Sequence, residues 1–291
     1  APPPGCAFAP RCALSDDDCT RTPPDPIAVA PTRVSACIRT VADVTAGLGT
    51  TATNTSEPYP ATAGTSDQPP AVVLRDVTKS FTVARHGKLQ ALRGVSLNVT
   101  VGRSMGIVGE SGSGKSTLLY LLSGLIAPQA GQVLWGGIDL ARLSERARDR
   151  WRRQNAGFVF QDFHLLTELS PLQNVLIPAG FGRFSARALR GRAETLLARF
   201  GVPARPRAAV LSRGEQQRTA LARAMLGYPA ILFADEPTAS LDAGAGREVA
   251  DCLHQLAGEG RLIIAASHDP ALIARADLRL HLAHGRIGGA P

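Results

Sequence analysis

From Ala71 onward, short apolar runs alternate with amphipathic stretches. The segment SMGIVGESGSGKSTLLYLLSGL passes from an apolar run through six loop-type residues into a leucine-rich stretch, which predicts strand, glycine loop and helix. The runs ILFAD and LIIAA are apolar at nearly every position, as strands buried on both faces of a parallel sheet are. In LSRGEQQR, Ser212 and Glu215 have the spacing of a capping box at a helix start, and Leu221, Ala224 and Met225 then recur on one face. This alternation predicts an α/β domain over residues 71–291 with a largely parallel sheet. The most apolar run, LLYLLSGLI, is interrupted by Ser123 and Gly124, so no stretch is expected to cross a bilayer.

The N-terminal part follows different rules. Residues 1–40 hold four of the five cysteines and many prolines, whereas 41–70 fall to Thr, Ala, Ser, Gly and Pro with little to bury, the composition of a flexible linker. The opening APPPGCAFAP has neither a charged nor an apolar signal region and is not expected to be a secretory signal. The whole chain is 44% hydrophobic and 19% charged, enough apolar material for a substantial core. Its net charge of +8 comes almost wholly from arginine, since Lys79, Lys88 and Lys115 are the only lysines. The densest basic stretches, RARDRWRR and RFSARALRGR, carry no nucleic-acid reading motif, so no nucleic acid is expected as partner; a solvated or membrane-facing basic surface is.

The predicted loop carries chemistry. Gly109, Gly114, Lys115 and Ser116 match G-x-x-x-x-G-K-S/T without a gap. Such a loop, comprising Gly109, Glu110, Ser111, Gly112, Ser113 and Gly114, turns backbone N–H groups inward around a phosphate, and the next helix aims its positive end there. Lys115 is then placed for the β- and γ-phosphates, Thr117 is expected among the nucleotide-binding residues, and the Ser116 hydroxyl suits Mg2+. The run ILFAD ends in Asp235 and Glu236 at the sheet edge where ligands collect. Asp235 is expected to hold Mg2+ through water, and Glu236 to polarise the water that attacks the γ-phosphate. The third run ends at His268, expected at the γ-phosphate on the same edge.

With these residues in place, 71–291 resembles the ABC transporter ATPases, through GESGSGKST, FVFQD, LSRGEQQR, ILFADEP, ASLD and His268 in that order. The resemblance implies a P-loop NTPase of ABC type, with a mostly parallel central sheet, an antiparallel β subdomain, a helical subdomain at about 135–227 and a small irregular N-terminal extension. It implies ATP and Mg2+ as ligands and Phe81 as the ring stacked on adenine. Gln161 becomes a residue coupling Mg2+ occupancy to the helical subdomain, and Asp242 the D-loop aspartate. Ser212, Arg213, Gly214 and Glu215 form the signature, which would serve ATP bound to a second ABC ATPase domain, so that two subunits make two composite sites. Arg213 departs from the family, which usually has glycine there; its side chain must turn away from the phosphate or add a charge beside it.

The stretch AGFVFQDFHLLTELSPLQNV is similar to ATPases of lipoprotein-release and macrolide-export systems, which implies membrane permease partners near TELSPLQNV and a place on the inner face of the cell membrane. A soluble ABC ATPase of translation or DNA maintenance is the alternative; the short interval from Lys115 to Ser212 leaves no room for the long coiled coil of the DNA-maintenance type. Cys6, Cys12, Cys19 and Cys37, spaced C-x5-C-x6-C-x17-C, resemble the C-terminal extension of oligopeptide- and dipeptide-transporter ATPases, which normally follows an ATPase domain. A 4Fe-4S cluster, zinc, or reduced thiols are the three expectations there. Cys252 reads as a small buried residue.

Overall fold

The computed structural model describes residue 21 and residues 27–30, 33–35, 72–83, 87–99, 104–181 and 186–288. They fall in two units, Ala1–Pro60 and Ala61–Pro291. In the first, β1 (Ile27–Ala30) and β2 (Arg33–Ser35) pair antiparallel, so a stretch expected to be irregular contains a short hairpin. The β-branched residues Ile27, Val29 and Val34 favour that extended form.

In the second unit, β3 (Val72–Val83) and β4 (Gly87–Val99) form a long antiparallel pair. Next come β5 (Ser104–Val108), α1 (Lys115–Leu122), β6 (Ala130–Trp135), β7 (Ile138–Asp139), α2 (Glu145–Asn155) and β8 (Ala156–Val159). Helices α3 (Pro171–Leu176), α4 (Ala186–Arg199) and α5 (Arg213–Met225) precede β9 (Ile231–Asp235). The chain continues through α6 (Ala243–Gly258), β10 (Leu262–Ala266), α7 (Pro270–Ile273), β11 (Leu278–Ala283) and β12 (Arg286–Ile287). One sheet runs β4-β3-β6-β7 and is antiparallel. The other runs β12-β11-β5-β10-β9-β8 and is parallel except at β12.

The central strands alternate between two cores. Ile231, Phe233, Leu262 and Ile264 face a cluster with α1 and the antiparallel sheet, including Leu74, Leu92, Leu118 and Leu122. Leu232, Ala234, Ile263 and Ala265 face the opposite cluster, with Leu221, Met225, Val249 and Leu253 from α5 and α6. With both faces covered, every position of β9 and β10 is buried, the reason those runs read as continuously apolar.

The stretch 135–227 is not uniformly helical. β7 belongs to the antiparallel sheet, and β8 returns to the central sheet beside β9, with Phe158 stacked on Phe233 at 5.3 Å. Gly157 permits this: a Cβ there would stand 2.6 Å from the Ala224 carbonyl oxygen, so only glycine lets α5 lie on β8. Helices α3, α4 and α5 pack on one another. Serine starts several of them. The Ser170 and Ser212 side chains each close a capping box, with Gln173 and Glu215 respectively.

Candidate functional site

Strand register brings the chemistry-bearing residues together. Ala266 lies opposite both Asp235 of β9 and Ile107 of β5, so three loops leave the carboxyl edge side by side. Backbone bonds extend the pairing beyond the strands: Glu236 N–H donates to Ala266 O at 2.8 Å and Ser267 N–H to Ile107 O at 3.1 Å.

The glycine loop is wedged on one side and open on the other. A Cβ at Gly109 would stand 2.2 Å from Leu282 O, and one at Gly114 (φ +106°) 2.6 Å from Ala91 O. At Gly112 (φ +77°) nothing lies within 4 Å. Gly114 then caps α1, so the first free N–H groups of that helix join those of the loop. Ser113 Oγ is buried without a hydrogen-bond partner, an orphan of the kind a polar ligand satisfies.

Lys115 is 8% exposed and folds back over the loop, its Nζ donating to Gly109 O at 2.9 Å and Glu110 O at 3.1 Å. Glu236 Oε1 lies 3.6 Å from that ammonium. Glu236 also takes a left-handed backbone, φ 44°, uncommon outside glycine, which turns its carboxylate out of the strand line. Its Oε2 is 2.9 Å from His268 Nδ1. With a carboxylate as acceptor, Nδ1 carries the proton. The His268 side chain is otherwise 69% exposed.

Asp235, 4% exposed, accepts from Ser116 Oγ at 2.9 Å and from the Tyr120 hydroxyl at 2.8 Å. The Tyr120 phenol is pushed up to about 12, by burial first and then by the Asp235 carboxylate. Tyr120 belongs to none of the motifs in the sequence. Its signal was the i,i+4 spacing from Ser116, which puts both hydroxyls on one face of α1. The donor set of hydroxyl and carboxylate oxygens fits a hard cation such as Mg2+. Gln161, two residues beyond β8, is exposed and makes no hydrogen bond to Ser116 or Asp235 in this structure. Phe81 is 39% exposed on β3, with Lys79 Nζ 5.5 Å from its ring centroid. Glu110 and Ser111 are exposed, and Thr117 is half-buried at the start of α1.

The signature lies elsewhere in the protomer. Ser212 Oγ accepts from Glu215 N–H at 3.2 Å, and Glu215 Oε2 accepts from Ser212 N–H at 2.7 Å. Gly214 abuts α6, where a Cβ would stand 2.9 Å from Ala245 Cβ. Asp242 caps α6 by accepting from Gly244 and Ala245 N–H, each at 2.9 Å, and the Ala245 bond leads in holding its carboxyl below the usual range. A cavity of about 550 Å3 runs between Ser212–Glu215 and Ser240–Asp242, and no residue of the glycine loop lines it. Arg213, which also lines that cavity, donates from Nε to Ser240 O at 3.0 Å, and its guanidinium lies 4.9 Å from the Phe163 ring centroid.

Cys6, Cys12, Cys19 and Cys37 lie outside the described residues. Among the described residues, no group of three or more His, Cys, Asp or Glu could hold a metal, and no helix is long and apolar enough to cross a membrane. Cys252 is half-buried, and burial pushes its thiol up.

A glycine loop closed by Lys115 and Ser116, beside two acidic residues at the end of a buried parallel strand, defines a nucleotide-hydrolysing P-loop protein. Residues 92–239 match the family described as ABC transporter, and the chain belongs to that family of ATPases. It is 42% identical over 219 residues to the lipoprotein-releasing system ATP-binding protein LolD of Cereibacter sphaeroides, covering 74% of this chain and 98% of that one. It is 39% identical over 220 residues to the macrolide export ATP-binding/permease protein MacB of Shigella flexneri, covering 75% of this chain but 34% of that protein. Among solved structures, a dimeric cassette in a post-hydrolysis state bound to ADP and Pi matches with a TM-score of 0.68 at 34% identity, over 74% of this chain and 96% of that one.

Proposed function

We propose that the chain is the ATP-hydrolysing subunit of a transporter, acting at the inner face of the cell membrane beside separate permease subunits, with each ATP held between two cassettes. The observation that carries this is the separation of the half-sites: the cavity beneath the signature is lined by none of the phosphate-loop residues of its own protomer. A second copy, related by a two-fold axis, would set each signature against its neighbour's loop. The similarity to a dimeric cassette supports that arrangement. The exposed apolar side chains Leu166 and Val210, on segments joined by the bond from Ala209 N–H to Thr167 O at 3.0 Å, support permease docking near the stretch 167–175. Likeness to LolD favours lipoprotein release as the process driven.

In this reading Gly109–Gly114 and the start of α1 cradle the phosphates, Lys115 leaves its loop carbonyls for the β- and γ-phosphate oxygens, and Phe81 stacks on the base. Ser116 and Asp235 would hold Mg2+, joined by Gln161 on closure, and the ion supplies charge neutralisation for the phosphoryl oxygens. Tyr120 keeps the Asp235 carboxylate in place. Glu236 accepts the proton of the attacking water, its carboxylate oriented by the Nδ1–H of His268 at the same sheet edge. From the neighbouring copy, Ser212 and the backbone of Gly214 complete the γ-phosphate's surroundings at a helix N-terminus, with Asp242 at the same interface.

The composite arrangement is tested by dilution. Turnover per protomer is expected to rise with protein concentration and to plateau once pairing is complete; a rate per protomer unchanged over about a hundredfold dilution, with sedimentation showing monomer throughout, refutes it. A 4Fe-4S cluster on Cys6, Cys12, Cys19 and Cys37 is a separate proposal, supported by the sequence resemblance alone. It requires a broad visible absorption band in anaerobically purified protein, and a colourless preparation without iron rules it out.

A further inference from the structure

Arg213 stands between Ser212 and Gly214 in the signature, and its surroundings assign it work. Two partners hold its side chain, both within its own protomer: the carbonyl of Ser240 at 3.0 Å and the ring of Phe163, 4.9 Å from the guanidinium. Ser240 lies two residues before Asp242, the cap of α6. Phe163 lies two residues after Gln161 and is 7% exposed.

The same helix grips both segments a second time. One turn along α5 from Arg213, the buried Gln217 side chain donates to Pro237 O at 2.7 Å, next to Glu236. Farther along, Arg223 donates to Phe163 O at 2.5 Å and to His164 O at 2.6 Å. Thus α5 holds the backbone of 237–240 at two carbonyls, and the 163–164 segment by its ring at one end and its backbone at the other. Gln217 is buried and Arg223 half-buried, whereas Arg213 is exposed. It is the one of these ties that sits beside Ser212.

We propose that Arg213 is a positioning residue: it couples the signature to the segment after Gln161 and to the loop before Asp242, so that the three shift together, and it does not bind phosphate. The coupling between composite sites rests on the dimer reading above; the tie itself is a property of the single protomer. Arginine suits the task because its planar fork can stack on an aromatic ring while an edge N–H donates to a carbonyl.

The test uses the full chain with Arg213→Ala, Phe163→Leu and the double variant. Hydrogen exchange of the nucleotide-free protein comes first, because it is independent of pairing. Arg213→Ala is expected to speed amide exchange in both 161–165 and 239–242 by about fivefold or more, leaving β9 and β10 unchanged. Unchanged exchange in either segment overturns the proposal. In steady state, Arg213→Ala is expected to lower kcat about three- to tenfold with KM for ATP within about twofold, and the double variant to be no worse than Arg213→Ala. Losses that multiply in the double variant overturn the proposal, and a KM increase in Arg213→Ala that Arg213→Lys does not show would instead make Arg213 a cationic phosphate ligand. Should turnover prove independent of pairing while the exchange result holds, the dimer reading fails and the tie stands.

Discussion

Glu236→Gln is expected to lower ATP turnover about a thousandfold, about 4 kcal/mol of transition-state stabilisation, while ATP still binds. The amide keeps the side chain's shape and one oxygen to accept the His268 Nδ1–H, now 2.9 Å away, so the loop should not collapse. It cannot take the proton of a water, and its neutrality removes the charge that faces Lys115 at 3.6 Å. Freed from that carboxylate, Lys115 binds phosphate at least as well as before. The variant should therefore accumulate an ATP-bound dimer, visible as an earlier peak in sizing chromatography with ATP and Mg2+. Phosphate release and equilibrium ATP binding are measured separately. Turnover within about threefold of the parent protein would strip Glu236 of the role of base.

Lys115→Ala attacks the other side of the same pair, and here the loss falls on binding. The ammonium is buried, with two loop carbonyls and one carboxylate as its neighbours. Its removal takes away the one cation the loop can bring to the β- and γ-phosphates and leaves Glu236 beside the incoming anion. A lost charge-assisted contact of about 2–3 kcal/mol corresponds to about 30- to 150-fold weaker ATP binding. The unliganded fold should hold, since the glycine loop remains wedged against Ala91 and Leu282. Calorimetric titration with ATP checks the affinity and thermal unfolding without nucleotide checks the fold. ATP binding within about threefold of the parent would show that loop N–H groups alone carry the phosphates.

These two residues show how much of the site could be read along the chain. The glycine loop, the acidic pair after a buried strand and the Ser212–Glu215 cap all involve neighbours within a few positions, where backbone geometry dictates residue type. Lys115 and Glu236 were each picked out that way, but their pairing was not, and the Glu236–His268 contact spans 32 residues. The Tyr120–Asp235 bond joins residues 115 apart, and no local pattern marks it. Arg213 shows the same limit: its partners Phe163 and Ser240 lie far from it along the chain.

The resemblance implied a helical subdomain over a stretch that also holds short strands. β8 holds four residues inside a region otherwise rich in helix, so nothing local marks it as a member of the central sheet; its place comes from Phe158 on Phe233 and from Gly157 beneath α5. Local chemistry, then, was settled by the order of amino acids: where helices start, which turns demand glycine, which runs must be buried on both faces. Which charged group meets which, and that the cavity beneath the signature is lined by none of its own phosphate loop, came from strand register and helix packing. Those depend on contacts between residues a hundred positions apart, and no short window of sequence contains both partners.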